Sequence, residues 1–225
     1  MATSVLALVA SALDGSGLNL VGGATRDAFD ARAPEGFRSG ALFPRARGVV
    51  VVASGGRELW SRFRVAYASA AQTWARAEHP LDAFVAGALA RADAAFAGAG
   101  IAFCRFEPTL YAEPALDFRA LGELAGLGTP GPFGMLIHAT YGPWWALRGA
   151  YLVDAEVAVA RAPPAPCEGC AAPCVGGRRT SGLIDLATPD ARRRCVVGPE
   201  HRYEDEQIAY HYGGARPPWM AQLAR

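Results

Sequence analysis

Residues 48–53 constrain the fold of this chain more than any other stretch. They read Gly-Val-Val-Val-Val-Ala, a β-branched run without a polar position on either face. Such a run is typical of a strand in a sheet that is covered on both sides. Apolar residues at helical spacing in 5–13 and 80–98 indicate the covering helices, and Pro80 stands where a helix can begin. The sequence therefore predicts a three-layer α/β or α+β domain.

Composition and charge limit the classes of protein that this chain can belong to. The 225 residues are 52% apolar and 19% charged, which is typical of a globular domain, and we expect a single domain over 1–225. A formal net charge of +1 gives no basic surface for DNA. No apolar run reaches the roughly 18 residues of a membrane span, so no membrane partner is expected. The first segment lacks the basic start of a signal peptide, and we expect an amphipathic helix and a cytoplasmic protein.

Turn residues and periodicity together predict the order of elements along the chain. A Cys-containing loop at 162–177 is predicted to be irregular. The last predicted helix follows Pro199 and carries His201, Glu204 and His211. His201 and Glu204 could share a metal, but a solvated polar face over 200–207 explains them better. Strands are predicted at 18–22, 48–53, 101–106, 135–138, 146–153 and 156–159, and helices at 5–13, 57–75, 80–98, 117–125 and 199–212.

A glycine-rich segment at 126–131 has the spelling of a dinucleotide-binding loop, Gly-x-Gly-x-x-Gly. It follows a predicted helix instead of a strand, and Pro130 prevents a helix from starting there. We therefore exclude a dinucleotide site and predict turns at these glycines.

The cysteines are spaced like metal ligands. Cys167, Cys170 and Cys174 lie close together, Cys195 follows, and Cys104 lies apart on a predicted strand. Four thiolates can hold one 4Fe-4S cluster or a zinc ion. A thiol-rich loop without a metal, or a disulfide, are the alternatives that the sequence leaves open.

Aromatic residues are densest at 137–149, which reads I-H-A-T-Y-G-P-W-W-A-L-R-G. This segment offers His138, Tyr141, Trp144, Trp145 and Arg148 to a large, flat, partly charged ligand. Since side chains alternate along a strand, the two tryptophans are expected to face opposite sides, one in the core and one towards a ligand. His138 is predicted to form hydrogen bonds in the pocket instead of binding a metal.

Segment 137–149 resembles the pattern I-H-P-x-[FY]-G-x-W-[FW]-[AF]-[IL]-[RG]-G, which two related families share. One is the cobalamin-processing family CblC, or MMACHC, and the other is the epoxyqueuosine reductase family, QueG. Residues 199–210 are similar to the CblC pattern P-x-E-R-Y-x-E-E-Q-x-A-Y, and they include Arg202 and Tyr203. The Cys167–Cys174 loop and Asp190–Cys195 resemble the cluster region of QueG. These segments cover about the C-terminal half of the chain.

The resemblance implies a nitroreductase-like three-layer α+β sandwich with a central mixed sheet, and cobalamin as ligand. It implies removal of the upper axial ligand of cobalamin, by thiol-dependent dealkylation or by reductive decyanation, for which a reduced flavin is compatible with the fold. Glutathione carries two carboxylates, which suit arginine, so Arg148 and Arg202 are candidate thiol ligands, with Tyr203 beside them. A homodimer is compatible with the sequence.

The departures from the QueG pattern favour CblC-like chemistry. The chain has too few cysteines for two clusters of thiolate ligands, so at most one cluster can form. Ala139 replaces the proline that follows the histidine in both families, and no clear counterpart of the QueG substrate acid is found. An iron–sulfur reductase of the QueG type and a non-catalytic corrinoid carrier remain the alternative hypotheses.

Overall fold

The computed structural model describes residues 4–108, 116–131, 134–159, 164–171 and 189–223. The chain contains both strands and helices, interspersed along its length. The strands are β1 (Leu20–Thr25), β2 (Gly48–Gly55), β3 (Phe103–Phe106), β4 (Thr129–Pro130), β5 (Leu136–Ile137) and β6 (Trp145–Val153). The helices are α1 (Val5–Ala12), α2 (Arg26–Arg32), α3 (Ser39–Leu42), α4 (Glu58–Ser69), α5 (Ala71–Ala75), α6 (Pro80–Gly98), α7 (Phe118–Leu124), α8 (Pro189–Arg193), α9 (Asp205–Gly213) and α10 (Pro218–Leu223).

A four-stranded sheet in the order β1-β2-β6-β3 forms the centre of the described structure. Strand β2 is buried along its whole length, and its side chains divide between two hydrophobic clusters. Val50 and Val52 pack towards α1, α4 and α6, whereas Val49 and Val51 pack towards α2 and α7. The prediction of a sheet covered by helices on both faces is confirmed.

The prediction of a mixed sheet is wrong for the described strands. All three neighbouring pairs, β1 with β2, β2 with β6 and β3 with β6, are antiparallel. A continuous apolar strand is common in parallel sheets because they are usually covered on both faces, but any covered strand gives the same pattern. Burial could therefore be inferred from the sequence of β2, whereas strand direction could not.

Local signals placed several helices correctly. Helix α6 has the predicted bounds, with Pro80 at its start. The Ser4 hydroxyl caps α1 by accepting a hydrogen bond from the Ala7 N–H, and the Asp117 carboxylate caps α7 in the same way at Ala120. These caps satisfy N–H groups that have no partner within the helix.

Other boundaries differ from the prediction. The predicted helix at 57–75 is divided at Ala70, whose backbone leaves the helical region. The predicted strand at 156–159 is not formed. The predicted helix at 199–212 consists of a short 3-10 helix, Pro199–His201, and a separate α9, so His201 and Glu204 do not share a helix. Helices α2, α3, α8 and α10 were not predicted.

Of the glycines at 126–131, Gly126 forms a turn, as predicted, whereas Gly128 and Gly131 make close contacts outside a turn. Gly126 has a positive φ of 71° just after α7. A Cβ atom on Gly128 would lie 2.9 Å from the Trp145 ring, and one on Gly131 would lie 2.3 Å from the Ile137 side chain. No helix in the described part of the chain is long and apolar enough to cross a membrane.

Candidate functional site

A tight turn presents His138 and Tyr141 between β5 and β6. The backbones of His138 and Gly142 pair through two hydrogen bonds of 2.9 Å. The His138 Nδ1 atom accepts hydrogen bonds from the N–H groups of Thr140 at 2.9 Å and Tyr141 at 3.2 Å. The imidazole is therefore part of the turn, and its orientation is fixed by the backbone.

These hydrogen bonds define the chemistry that His138 can perform. Since Nδ1 accepts two hydrogen bonds, the proton of the neutral ring is on Nε2, which is then a donor. Burial and the nearby His201 lower the pKa of His138, so the neutral form is favoured. Coordination of a metal through Nε2 would need the proton on Nδ1, where it would point at two N–H groups. The geometry thus agrees with the prediction of a hydrogen-bonding histidine.

Tyr141 lies on top of this turn and contacts the C-terminal part of the chain. Its ring centroid is 5.0 Å from that of His138 and 4.6 Å from that of His201. Its ring also covers the end of β2, where a Cβ atom on Gly55 would lie only 2.4 Å from the ring. The Tyr141 ring can occupy this place only because residue 55 is a glycine.

Two glycines hold the segment around residue 198 against the turn. Gly142 and Gly198 both have positive φ, at 57° and 62°. A Cβ atom on Gly142 would lie 2.1 Å from the Val197 carbonyl oxygen, and one on Gly198 would lie 2.3 Å from the Thr140 carbonyl oxygen. Such a close approach of two backbones needs glycine on both sides. It brings together the two segments in which the sequence predicted ligand-binding residues.

The two tryptophans pack in different clusters, and both are buried. Trp145 belongs to the core beside α7, and its Nε1 donates to the Leu136 carbonyl at 3.1 Å. Trp144 packs with Tyr203 and Ile208, at 5.4 Å between the Trp144 and Tyr203 ring centroids. The Trp144 Nε1 is buried and has no hydrogen-bond partner among the described residues. Of this pair, Trp144 is the one whose donor is unused among the described residues, as are the Nε1 donors of Trp60 and Trp219.

Arg148 brings a positive charge to the Trp144 side of β6. It is half-buried, and its Nε donates to the buried hydroxyl of Ser54 at 3.1 Å. Its other guanidinium nitrogens make no hydrogen bond or ion pair with any described residue. A half-buried arginine with two free donors on one edge suits a carboxylate.

His211 lies among the aromatic rings on the same side. Its ring centroid is 5.6 Å from that of Tyr203 and 6.1 Å from that of Trp60. Burial, together with the charges of Arg148 and Arg192, lowers the pKa of His211 to about 3. Burial also raises the pKa of Tyr203, whose environment includes the same two arginines. His211 lies beyond 200–207, the segment for which a solvated polar face was predicted.

Arg192 also belongs to this cluster, although it was not among the predicted site residues. Only 9% of Arg192 is exposed, and its guanidinium lies 4.5 Å from the centre of the Tyr212 ring. Arg202, the predicted thiol ligand, is exposed and donates to the Arg193 carbonyl at 2.7 Å. No described contact joins Arg202 to Arg148. Its role in thiol binding stays a prediction, while Arg192 and Arg148 act on the same three side chains: Tyr203, His211 and Tyr212.

The structure brings two of the predicted thiols close to the turn. Cys195 is buried and Cys167 is half-buried, and both pack around Ile137. The Cys170 N–H donates to the Cys167 carbonyl at 3.3 Å. Cys174 lies outside the described residues. Among those described, no group of three or more His, Cys, Asp or Glu side chains is placed to hold a metal ion, so the cluster stays a prediction.

A cavity of about 520 Å³ lies between α1 and β1, close to the same turn. Apolar residues of α1 line one wall, and Asn19 and Glu58 line the other. The Asn19 Nδ2 atom lies 3.3 Å from the Tyr141 hydroxyl oxygen, but Tyr141 itself does not line the cavity. Its volume is in the range of small-molecule pockets.

Comparison with solved structures relates this fold to known proteins. It is similar to that of the B12-trafficking protein CblC of C. elegans, a human MMACHC homologue, with a TM-score of 0.65 and 14% identity over 98% of this chain and 94% of that chain. It is also similar to epoxyqueuosine reductase from Streptococcus thermophilus, with a TM-score of 0.56 and 16% identity over 84% of this chain and 55% of that chain. A selenomethionine-labelled epoxyqueuosine reductase gives a TM-score of 0.57 and 13% identity over 96% and 80%.

No family model matches this sequence, and none of the curated proteins matches it. The predicted resemblance to CblC and to epoxyqueuosine reductase is therefore confirmed by structure, at the level of the fold. Identities of 13–16% carry no function by themselves. The function of this protein must therefore be inferred from the side chains of the site.

Proposed function

We propose that this protein binds a corrinoid and removes its upper axial ligand. One observation carries the proposal. The two segments that resemble CblC, 137–149 and 199–210, are far apart in sequence but meet through two ring contacts. Tyr141 packs on His201 at 4.6 Å, and Trp144 packs on Tyr203 at 5.4 Å. Neither the spacing nor the composition of the chain requires these rings to meet.

The chemistry of the side chains suits such a ligand. A corrin ring is broad and largely apolar, and its rim carries amides. The rings of Tyr141 and His201 offer an aromatic surface, while His138 Nε2 supplies a donor at its edge. The Nε1 of Trp144 has no partner among the described residues, and its ring is fully buried, so a ligand would reach this donor only by displacing its neighbours. Few polar groups on an apolar surface are typical of a site that orients a large ligand.

Arg148 is proposed to hold the carboxylate of an incoming thiol such as glutathione. In dealkylation the thiolate sulfur forms a bond to the alkyl carbon, the cobalt–carbon bond breaks, and its electron pair stays on cobalt. Arg148 does not take part in these bonds. It raises the local concentration of the thiol and orients it. Such positioning can remove several kcal/mol, about 7 to 11, from the activation free energy of a bimolecular reaction. Reductive decyanation would instead need an external reductant, such as a reduced flavin.

The test is anaerobic turnover of methylcobalamin by the wild-type protein with glutathione. We expect the methyl group to appear on glutathione in amounts that follow the protein concentration. Arg148→Ala should raise the glutathione concentration for half-maximal rate about tenfold or more, since an arginine–carboxylate pair is lost. The affinity for methylcobalamin should change by less than about twofold.

Arg202→Ala is the informative comparison for the thiol site. If Arg202 binds the thiol, as predicted from the sequence, it should also raise the glutathione requirement. If Arg202 only holds the Arg193 carbonyl, the requirement should stay at the wild-type value. Tight binding of methylcobalamin without any turnover would contradict the enzymatic proposal and favour a corrinoid carrier.

An iron–sulfur reductase is the second candidate, because Cys167 and Cys195 both pack around Ile137 next to the site. This candidate predicts protein-bound iron and a brown colour in anaerobically purified protein. Cys170→Ser should then lose both. Iron-free wild-type protein would contradict it.

A further inference from the structure

The orientation of the Asn19 side-chain amide is fixed by a backbone group. The Gly55 N–H lies 2.7 Å from Asn19 Oδ1. Since a backbone N–H can only donate, the atom that faces it must be the amide oxygen. The amide nitrogen is therefore on the opposite side, where it lies 3.1 Å from the Gly55 carbonyl oxygen. Asn19 thus forms a two-bond pair with one residue at the end of β2.

This fixed amide determines the role of the Tyr141 hydroxyl. Asn19 Nδ2 also lies 3.3 Å from the Tyr141 hydroxyl oxygen and 3.3 Å from Glu58 Oε2. The amide nitrogen has two hydrogens: one is directed at the Gly55 carbonyl, and the other is shared between Glu58 Oε2 and the Tyr141 oxygen. In this contact the Tyr141 oxygen can only accept. The hydroxyl proton of Tyr141 has no acceptor among the described residues. It remains available to an acceptor on a bound molecule.

The surroundings place this donor where a ligand can reach it. Asn19 and Glu58 line the cavity of about 520 Å³ between α1 and β1. Tyr141 is half-buried, and its ring is held on the other sides by Gly55, His138 and His201. The ring therefore cannot turn away from Asn19 without losing these contacts. Both Tyr141 and His138 offer a hydrogen-bond donor at the same turn.

We propose that Asn19 is a positioning residue that makes the Tyr141 hydroxyl a hydrogen-bond donor to a carbonyl oxygen of the bound corrinoid. This inference rests on the proposed function, and it adds a specificity element to that site. Asn19 acts through Tyr141 and does not itself contact the ligand. The pair would select ligands that carry acceptors, such as the amide carbonyls at the corrin rim.

Asn19→Asp reverses the polarity of this contact with little change in shape. It also places a carboxylate oxygen beside the Gly55 carbonyl oxygen and Glu58 Oε2, so Asn19→Ala is measured alongside it. The carboxylate still accepts from the Gly55 N–H, but it also accepts the Tyr141 proton, which the ligand then loses. Methylcobalamin is the probe, and its binding is followed by visible absorption for the wild type, Asn19→Asp, Tyr141→Phe and the double variant. We expect Asn19→Asp to weaken binding about tenfold, the effect of one hydrogen bond. In the Tyr141→Phe background the same change should alter affinity by less than about twofold.

Two further variants control the experiment. Gln72→Glu makes the same change from amide to carboxylate at an exposed position on α5, and it should leave affinity unchanged. If Asn19→Asp does not fold, Asn19→Ala serves alone, with an expected weakening of about threefold that also disappears in Tyr141→Phe. A general structural defect would instead weaken binding equally in both backgrounds.

The outcomes separate this inference from the proposed function. If the wild type binds methylcobalamin and Asn19→Asp binds it equally well, Asn19 has no positioning role. The same conclusion follows if the weakening persists in full without the Tyr141 hydroxyl. If the wild type causes no spectral change, the proposed function itself fails, and the inference fails with it.

Discussion

Trp144 and Trp145 are neighbours in the chain, yet their surroundings differ in almost every physical respect. Trp145 lies in an apolar core beside α7, and its Nε1 donates to a backbone carbonyl at 3.1 Å. Trp144 has no partner for its Nε1, and it packs on Tyr203 within a cluster that contains His211 and two arginines. One tryptophan is fully satisfied by the protein, and the other is not.

Trp145 is satisfied within the core even though the His138 ring lies 5.9 Å from it, whereas Trp144 faces the polar groups around Tyr203. On the Trp145 side every strong polar group of the tryptophan is used within the protein, as in an ordinary core. On the Trp144 side burial keeps Tyr203 protonated and His211 neutral, and Arg148 has free donors. Unused donors and shifted pKa values in one place are typical of a ligand-binding or catalytic site.

The largest effect on stability is expected on the Trp145 side. Trp145→Ala removes a buried ring and a hydrogen bond, and it leaves a cavity, which should lower the free energy of unfolding by about 3 to 5 kcal/mol. Urea denaturation followed by circular dichroism measures this change. A loss below about 1 kcal/mol would contradict the assignment of Trp145 to the core.

A pH-dependent effect is expected from His211, which faces Arg148, Arg192, Tyr203, Tyr210 and Tyr212. Its pKa is about 3 in the folded state, against 6.5 for an unperturbed histidine. The unfolded state thus binds a proton more readily, so stability from neutral His211 is lost as the pH falls from 6.5 towards 3.

His211→Gln should therefore flatten the decrease in unfolding free energy over that pH range. The NMR signals of the His211 ring in the wild type should stay those of a neutral imidazole at pH 5. Protonation of this ring near pH 6.5 would show that it is not enclosed by the aromatic cluster.

The smallest effect on stability is expected from Trp144→Phe. The Trp144 Nε1 has no protein partner to lose, and the phenyl ring keeps most of the contact with Tyr203. We expect a change of about 1 kcal/mol or less in the free energy of unfolding. Affinity for methylcobalamin should fall several-fold in the same variant. A large loss of stability with unchanged affinity would make Trp144 a core residue like its neighbour.

Much of the fold could be predicted because its signals are local. The start of α6 at Pro80, the Asp117 cap of α7 and the burial of β2 each depend on a few adjacent residues. Strand direction could not be predicted, since an apolar run is compatible with either direction. The break before α9 was also missed, because the polar segment around His201 and Glu204 has no strong helix breaker.

The candidate site could be predicted only where a motif pointed to it. His138, Tyr141, Trp144 and Arg148 were found in a dense aromatic segment, and the structure places the residues of this segment close together. Asn19 gave no signal, because its role depends on Gly55 and Tyr141, which are distant in sequence. Arg192 lies in the segment 190–195, which resembles the cluster region of QueG. Its burial against Tyr212 could not be inferred from its neighbours in the chain.

Corrinoid binding is tested most simply by the visible absorption spectrum of methylcobalamin during an anaerobic titration with the wild-type protein. We expect a saturable shift to the base-off spectrum, because the resemblance to CblC implies a corrinoid bound with its nucleotide base detached from cobalt. Trp144→Phe should need more protein for the same shift, and Gln72→Glu should not. A spectrum that stays unchanged in an excess of folded wild-type protein would contradict the proposal that this protein binds a corrinoid.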